Sequence, residues 1–143
     1  MKRKLQAAAK IRSAAFRRVR ADHTSELAAD YVELIAELIE EKGEARGTDV
    51  ALRLGVANAT VVKTLKRLQD GGLVTQEPYR SIFLTESGWH LADAGQRKHK
   101  IVESFLLALG VSTETARIDS EGIEHHVSEE TLKAMAKFVA RNG

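Results

Sequence analysis

The 143-residue chain contains no cysteine, which excludes disulfides, thiolate metal sites and a cysteine nucleophile. This absence fits the reducing cytoplasm, where disulfides are rare. No apolar run approaches the ~18–20 residues of a membrane span. The basic N-terminus is not followed by the apolar stretch of a secretory signal. We therefore expect a cytoplasmic protein that has no membrane partner.

Acidic residues are missing from the start of the chain. The first 20 residues contain eight basic groups and no acid, whereas the remaining 123 contain 14 basic and 20 acidic groups, a net charge of −6. We call residues 1–24 the basic arm. A basic arm on an acidic body is a common layout in nucleic-acid-binding proteins, but a solvated tail has the same composition, so both interpretations stay open. The basic residues are Lys2, Arg3, Lys4, Lys10, Arg12, Arg17, Arg18 and Arg20.

The chain has one proline, Pro78, and most of the sequence follows a helical pattern. A first core helix is predicted from residue 25 to residue 42, where Gly43 is a natural stop. Later helices are expected to begin at caps formed by Thr48, Ser112 and Ser128, and Gly122 could interrupt the helix that starts at Ser112. The apolar positions of the first core helix are Leu27, Tyr31, Leu34, Ile35, Leu38 and Ile39.

The middle of the chain has the pattern of a DNA-binding motif. A short helix, a turn at Gly55 and a second helix from Asn58 to about Gln69 form a helix-turn-helix arrangement. Two strands at 73–77 and 82–85, joined by a tight connection, would follow as a β-hairpin wing. We therefore predict a mostly α-helical protein with a winged helix-turn-helix domain at 25–92 and a second, helical domain at 93–143.

The outward face of the second motif helix is polar and basic. An α-helix fits the major groove, and its first turns reach base edges. A solvated helical face is the alternative, but the hairpin beside the motif favours DNA. The candidates for base contact are Asn58, Thr60 and Lys63, with Val62 against a thymine methyl group. The candidates for backbone or minor-groove contact are Lys66, Arg67, Tyr79 and Arg80.

Carboxylates and histidines crowd into the stretch SEGIEHHVS at 120–128. Residues three and four apart share a helix face, so Glu121, Glu124 and His125 point the same way, as do Asp30 and Glu33 on the first core helix. His99 adds a sixth donor. Converging carboxylates repel one another unless a cation joins them, and a set of oxygen and imidazole ligands without sulfur suits Mn(II). Each of these residues, considered alone, could also lie on a solvent-exposed helix face without binding metal.

Five stretches of the chain resemble the diphtheria-toxin-repressor family of metal-dependent bacterial repressors. They are DYVELIAELIEEKGEAR (30–46), the helix-turn-helix at 49–73, YRSIFLTESG (79–88), RKHKIVESFLLALGV (97–111) and EGIEHHVSEETL (121–132). The resemblance implies a homodimer whose winged helix is joined to a helical domain for metal binding and dimerisation. Since the sequence ends at Gly143, we expect the SH3-like domain of some relatives to be absent.

The resemblance implies a ligand set as well. The manganese-sensing pattern of the family has ligands that match Asp30, Glu33, His99, Glu121, Glu124 and His125. Iron-sensing relatives have Met in place of Asp30 and Cys in place of Glu121, so this chain fits Mn(II), with up to two ions per subunit.

The expected function is that of an Mn(II)-responsive repressor of manganese uptake genes, which acts on a palindromic double-stranded operator and is not an enzyme. A repressor of the same family that responds to Fe(II) or Zn(II) is the nearest alternative. A di-metal hydrolase and a winged-helix regulator of an organic ligand are more distant ones. The expected dimer surface includes Leu106, Leu109, Ile118 and Met135.

Overall fold

The structure is a computed structural model that describes residues 1–77 and 80–142, and the side chains of these residues except 19–24. This part of the chain forms α1 (Lys2–Lys42), α2 (Gly47–Leu54), α3 (Asn58–Asp70), β1 (Val74–Thr75), β2 (Phe83–Leu84), α4 (Glu86–Ala108), α5 (Thr113–Ile123) and α6 (Glu129–Asn142). None of these helices, within the described residues, is long and apolar enough to cross a membrane. The mostly α-helical fold with a small hairpin is as predicted.

Internal contacts divide the chain into two units. The central unit is Ala28–Lys100, and the terminal unit combines Met1–Leu27 with Ile101–Gly143.

The central unit has a hydrophobic core between α1, the helix pair α2 and α3, and the hairpin. Tyr31, Ile35 and Leu38 of α1 are at most 1% exposed, which confirms the predicted inward face of this helix. Leu27 was expected on the same face but is 47% exposed, because it belongs to the terminal unit and not to this core. The other fully buried members of the core include Val32, Ala45, Val50, Val61, Val74, Ile82 and Ala92.

The turn between α2 and α3 follows from its glycine. Gly55 ends α2 with φ 69°, in the left-handed region, where glycine avoids the steric cost that a Cβ would bring. The Val56 amide then donates to the Ala51 carbonyl at 3.1 Å. The prediction that Thr48 caps α2 is wrong, because α2 begins at Gly47 and its N-cap residue is Arg46, whose side chain makes no cap hydrogen bond.

The hairpin is shorter than predicted and is attached to the loop before α2. Strands β1 and β2 are antiparallel, with Val74 opposite Leu84, in place of the predicted strands at 73–77 and 82–85. The second strand stops early because Thr85 caps α4, its Oγ1 accepting from the Gly88 amide at 3.1 Å. Before β2, the Ile82 amide donates to the Ala45 carbonyl at 2.8 Å. The base of the wing is therefore held against the start of the helix-turn-helix.

An ion pair joins α1 to α2 on the surface of the central unit. Arg53 Nη2 donates to Glu41 Oε2 at 2.7 Å. This hydrogen bond, together with the positive charge of Arg53, lowers the pKa of Glu41 below its ordinary value, and it raises the pKa of Arg53. Exposed pairs of this kind contribute little to the free energy of unfolding.

The terminal unit packs α5 and α6 with the end of α4. Phe105 and Phe138 meet edge to face, with ring centroids 5.3 Å apart. Ser112 caps α5 as predicted, its Oγ accepting from the Thr115 amide at 3.3 Å. The predicted interruption at Gly122 is absent, because α5 runs through this residue to Ile123.

The basic arm is helical, which the sequence did not predict. The first core helix was expected to begin at residue 25, but α1 begins at Lys2 and runs without a break to Lys42. The arm is rich in alanine, which has the highest helix propensity. No proline or glycine interrupts the segment before Gly43, so nothing stops the helix at residue 25. The side chains of residues 2–18 are exposed.

Candidate metal centre and DNA interface

The outward face of α3 is open to solvent, as the DNA-reading hypothesis requires. The inward residues Val61, Leu65 and Leu68 are buried, together with Thr64. The hydroxyl of Thr64 donates to the Thr60 carbonyl at 2.9 Å, so this hydroxyl is occupied within the helix. The predicted contact residues of α3, all exposed, are Asn58, Thr60, Val62, Lys63, Lys66 and Arg67.

A groove runs beside this face between the start of α2, the start of α3 and the wing. Its lining includes Arg46, Asn58, Gln76 and Arg80. Arg46 lines this groove but was not among the predicted DNA contacts. Its position as a cation directly before the helix-turn-helix could have suggested it. Arg46 Nε donates to Glu44 Oε1 at 3.0 Å, and this bond is the main reason why the pKa of Glu44 is lowered.

Two DNA contacts, Tyr79 and Arg80, were predicted between β1 and β2, and the structure describes Arg80. Arg80 is exposed and forms an ion pair with Glu77, with Nε 3.2 Å from Oε2. Its carbonyl accepts from Gln76 Nε2 at 3.1 Å. The other predicted residue, Tyr79, lies outside the described residues.

Two of the predicted metal ligands lie one helical turn apart on α1 in the central unit. Asp30 and Glu33 are both half-buried, and their spacing places them on one face. The Glu33 carboxylate lies directly against Gly95 of α4. A Cβ added at Gly95 would stand 2.6 Å from Cδ of Glu33 and would overlap its Oε1. His99, also half-buried, follows Gly95 by one turn on α4.

The other predicted ligands lie in the terminal unit, where α5 ends. Glu121 is exposed on the last turn of α5, and Glu124 follows the helix with only 2% of its residue surface exposed. His125 Nε2 is 3.6 Å from Glu124 Oε1. Helix α5 ends at Ile123, and the His126 amide then bonds to the Ile123 carbonyl, three residues back, at 3.0 Å.

These residues fit a divalent cation in their chemistry. A buried carboxylate is costly unless it is hydrogen-bonded or paired with positive charge, and the Glu124 carboxylate is almost completely buried beside an imidazole. All six predicted donors are carboxylate oxygen or imidazole nitrogen, which are ligands that suit Mn(II). The structure brings Glu124 together with His125, and Asp30 together with Glu33. The packing of Glu33 against Gly95 was not predicted, because a glycine has no side chain that could mark its position as part of a metal site.

Two family models together match most of the chain. Residues 23–82 match the "Iron dependent repressor, N-terminal DNA binding domain", and residues 85–142 match the "Iron dependent repressor, metal binding and dimerisation domain". The chain belongs to the iron-dependent repressor family. The resemblance seen in the sequence is thereby confirmed. As a member of this family, the protein is a DNA-binding transcriptional regulator and not an enzyme, and it has a domain for metal binding and homodimer formation.

Three individual relatives that match most of the chain are all named MntR. It is 56% identical over 128 residues to "Transcriptional regulator MntR" of Escherichia coli O6:H1, covering 90% of this chain and 83% of that protein. It is 55% identical to the regulator of the same name from Salmonella typhimurium, over 90% of this chain and 82% of that protein. "HTH-type transcriptional regulator MntR" of Geobacillus kaustophilus is 38% identical over 77% of this chain and 78% of that protein.

Solved structures of the iron-dependent repressor family agree in fold. A "Manganese-dependent transcriptional repressor complex with manganese" has a TM-score of 0.72 and 28% identity, over 79% of this chain and 52% of that one. The manganese regulator SloR has a TM-score of 0.69 and 28% identity, over 79% of this chain and 53% of that one. The chain therefore spans about half the length of these solved structures.

Proposed function

We propose that the protein is a manganese-responsive repressor that regulates manganese uptake genes. The observation that carries this proposal is the sulfur-free ligand chemistry. A nearly buried Glu124 lies beside His125, and the chain has no cysteine to offer a softer metal. The relatives named MntR and the solved manganese-dependent repressor support the same metal. Fe(II) is the nearest competitor, because affinity alone does not separate it strongly from Mn(II).

The proposed ligands supply four carboxylates and two imidazoles, enough for up to two Mn(II) ions per subunit. Bound metal would supply the positive charge that offsets these carboxylates. Without it, repulsion between carboxylates disfavours any arrangement that gathers them. Metal binding and operator binding are then linked through one conformational equilibrium, and a coupling of this kind is typically about 1–3 kcal/mol. The proposed ligands are Asp30, Glu33, His99, Glu121, Glu124 and His125.

The proposed DNA contacts explain why a dimer is needed. A symmetric dimer presents two copies of α3, and such pairs read half-sites about 34 Å apart, or a multiple of that spacing. We therefore propose a palindromic double-stranded operator, and we place the protein in the cytoplasm with the DNA that it regulates. The residues proposed to contact DNA are Asn58, Thr60, Val62, Lys63, Lys66, Arg67, Tyr79 and Arg80.

The deciding experiment measures operator binding by fluorescence anisotropy in chelator, Mn(II), Fe(II) under anaerobic conditions, and Zn(II). We expect Mn(II) to switch binding on in the parent protein. Glu121→Ala should abolish this response, because it removes one proposed ligand from the end of α5. Glu114→Ala is the matched control, since it removes an exposed glutamate from the first turn of the same helix. Equal operator binding in chelator and in Mn(II) would refute the proposal.

A second variant tests the basis of metal selectivity. Glu121→Cys replaces a hard oxygen donor by a thiolate, which favours softer ions such as Zn(II). We expect the metal that best activates operator binding to shift towards these ions. A variant that responds to the four conditions as the parent does would show that Glu121 does not set the metal preference.

A further inference from the structure

The basic arm contacts the segment that follows α5. Arg18 Nη2 donates to the carbonyl oxygen of His126 at 3.2 Å, and both residues belong to the terminal unit. His126 comes directly after Glu124 and His125, two of the proposed metal ligands. The contact therefore joins residues that are 108 positions apart in the chain, and its acceptor lies in the turn that carries the ligands.

The chemistry of this turn explains why a guanidinium suits it. The last carbonyls of a helix have no partner within the helix and carry a partial negative charge. At the end of α5 the backbone changes to a tighter turn, in which the His126 amide bonds to Ile123. The His126 carbonyl lies three residues beyond Ile123, the last residue of α5, so it is not one of the helix's own terminal carbonyls but belongs to the turn beside them. A guanidinium that donates to it makes a charge-assisted hydrogen bond, which is stronger than a neutral one.

We propose that Arg18 is a positioning residue, which holds the 124–126 turn in place before the metal arrives. The inference rests on the proposed function, because it takes Glu124 and His125 as ligands. Ordering a segment costs free energy at the moment of binding, and a segment that is ordered beforehand avoids this cost. The basic arm thus serves metal sensing through Arg18, in addition to whatever its other cations contact.

The main rival is a DNA contact. The eight cations of residues 1–20, a segment without an acid, would also fit the phosphate backbone. The location of the contact favours the metal-binding segment, since Arg18 belongs to the terminal unit and donates to a carbonyl of the same unit. Arg17 separates the two explanations. It has the same charge and is exposed, but it points about 100° away around the helix.

The test compares Arg18→Ala, Arg18→Lys and Arg17→Ala in the full-length protein. The first measurement is hydrogen exchange of the amides of residues 124–127 without metal, where the parent protein should exchange more slowly than Arg18→Ala. The second is Mn(II) affinity by isothermal titration calorimetry. We expect Arg18→Ala to bind Mn(II) about fivefold more weakly, the effect of losing one exposed, charge-assisted hydrogen bond. Arg18→Lys, which keeps one charged donor, should recover part of both effects, and Arg17→Ala should match the parent.

Three outcomes would overturn the inference. Equal exchange and equal Mn(II) affinity in Arg18→Ala and Arg17→Ala would remove any special role of Arg18. Equal loss of operator affinity in both variants, with Mn(II) affinity unchanged, would assign the basic arm to DNA. Faster exchange in Arg18→Ala with unchanged Mn(II) affinity would mean that the turn is held by Arg18 but does not position ligands. Failure of the proposed function is seen separately, as an unchanged metal response of Glu121→Ala.

Discussion

The close packing of Glu33 against Gly95 predicts the direction in which Gly95→Ala changes the stability of the fold and the affinity for metal. Gly95 is an interior residue of α4, where replacing glycine by alanine normally stabilises a helix by about 1 kcal/mol. In this protein the new Cβ would overlap the Glu33 carboxylate. Gly95→Ala should therefore reverse the usual effect of the substitution, both on the free energy of unfolding and on metal binding.

The magnitude follows from two opposing terms. Inserting a methyl group into a filled space typically costs about 1–3 kcal/mol, which offsets the gain of about 1 kcal/mol in helix propensity. We expect Gly95→Ala to be up to about 2 kcal/mol less stable than the parent, depending on how far Glu33 can swing aside. Glu33 is a proposed ligand, and disturbing a residue that orients a ligand commonly lowers metal affinity by about 10–100-fold.

A second glycine provides the matched control. Gly122 lies within α5, and a Cβ added there meets no atom within 4 Å, so Gly122→Ala should stabilise the fold by up to about 1 kcal/mol. Urea unfolding in chelator measures stability, and titration calorimetry measures Mn(II) affinity. If both alanine variants are stabilised equally and bind Mn(II) as the parent does, Glu33 is not fixed by Gly95, and the reasoning fails.

Three further predictions concern the ion pair, the DNA face and the dimer. Arg53 lowers the pKa of Glu41, so the pair stabilises the fold above the ordinary value of 4.5 and this contribution disappears as the pH falls through the lowered pKa. Melting temperatures of Glu41→Gln should therefore fall below those of Glu40→Gln at pH 7 and converge with them once the pH is below the lowered pKa of Glu41. Lys66→Ala should reduce the salt slope of operator binding by about 1 per subunit, whereas an unchanged slope would exclude a phosphate contact. Ile118→Glu should give a monomer in analytical ultracentrifugation, because a charge would replace an apolar residue that is 66% exposed in the single chain; a persistent dimer would place the interface elsewhere.

The helix-turn-helix could be predicted closely because its signals are local. The helix predicted from Asn58 to about Gln69 is observed as Asn58–Asp70, since the spacing of Val61, Leu65 and Leu68 defines one buried face. The cap at Ser112 was also predicted correctly. Such features depend on residues within one or two turns, and the sequence displays them directly.

The features that were predicted wrongly, or not predicted, depend mostly on residues that are distant in the sequence. Thr48 looks like a cap, but the Ala45–Ile82 bridge fixes the chain just before α2, and the helix begins at Gly47, two residues earlier than a cap at Thr48 requires. The helical basic arm was not predicted, although it is rich in alanine, because its apolar and basic residues do not form a strong stripe and no clear cap marks its start. The Arg18–His126 contact and the packing of Glu33 on Gly95 could not be predicted either, because only the tertiary fold brings these residues together. The assignments of metal ligands and DNA contacts remain predictions.

The exposure of Val62 has a consequence for the thermodynamics of operator recognition. This β-branched apolar side chain is 67% exposed on α3, so the free protein keeps a hydrocarbon surface in water beside its cations. Contact with a thymine methyl group would remove that surface from water, with a gain of up to about 1–2 kcal/mol. Unlike the phosphate contacts, this gain would not vary with ionic strength, and it would contribute a negative heat-capacity change to binding. Deoxyuridine differs from thymidine only by that methyl group, so the base that faces Val62 can be found by changing the DNA and leaving the protein untouched.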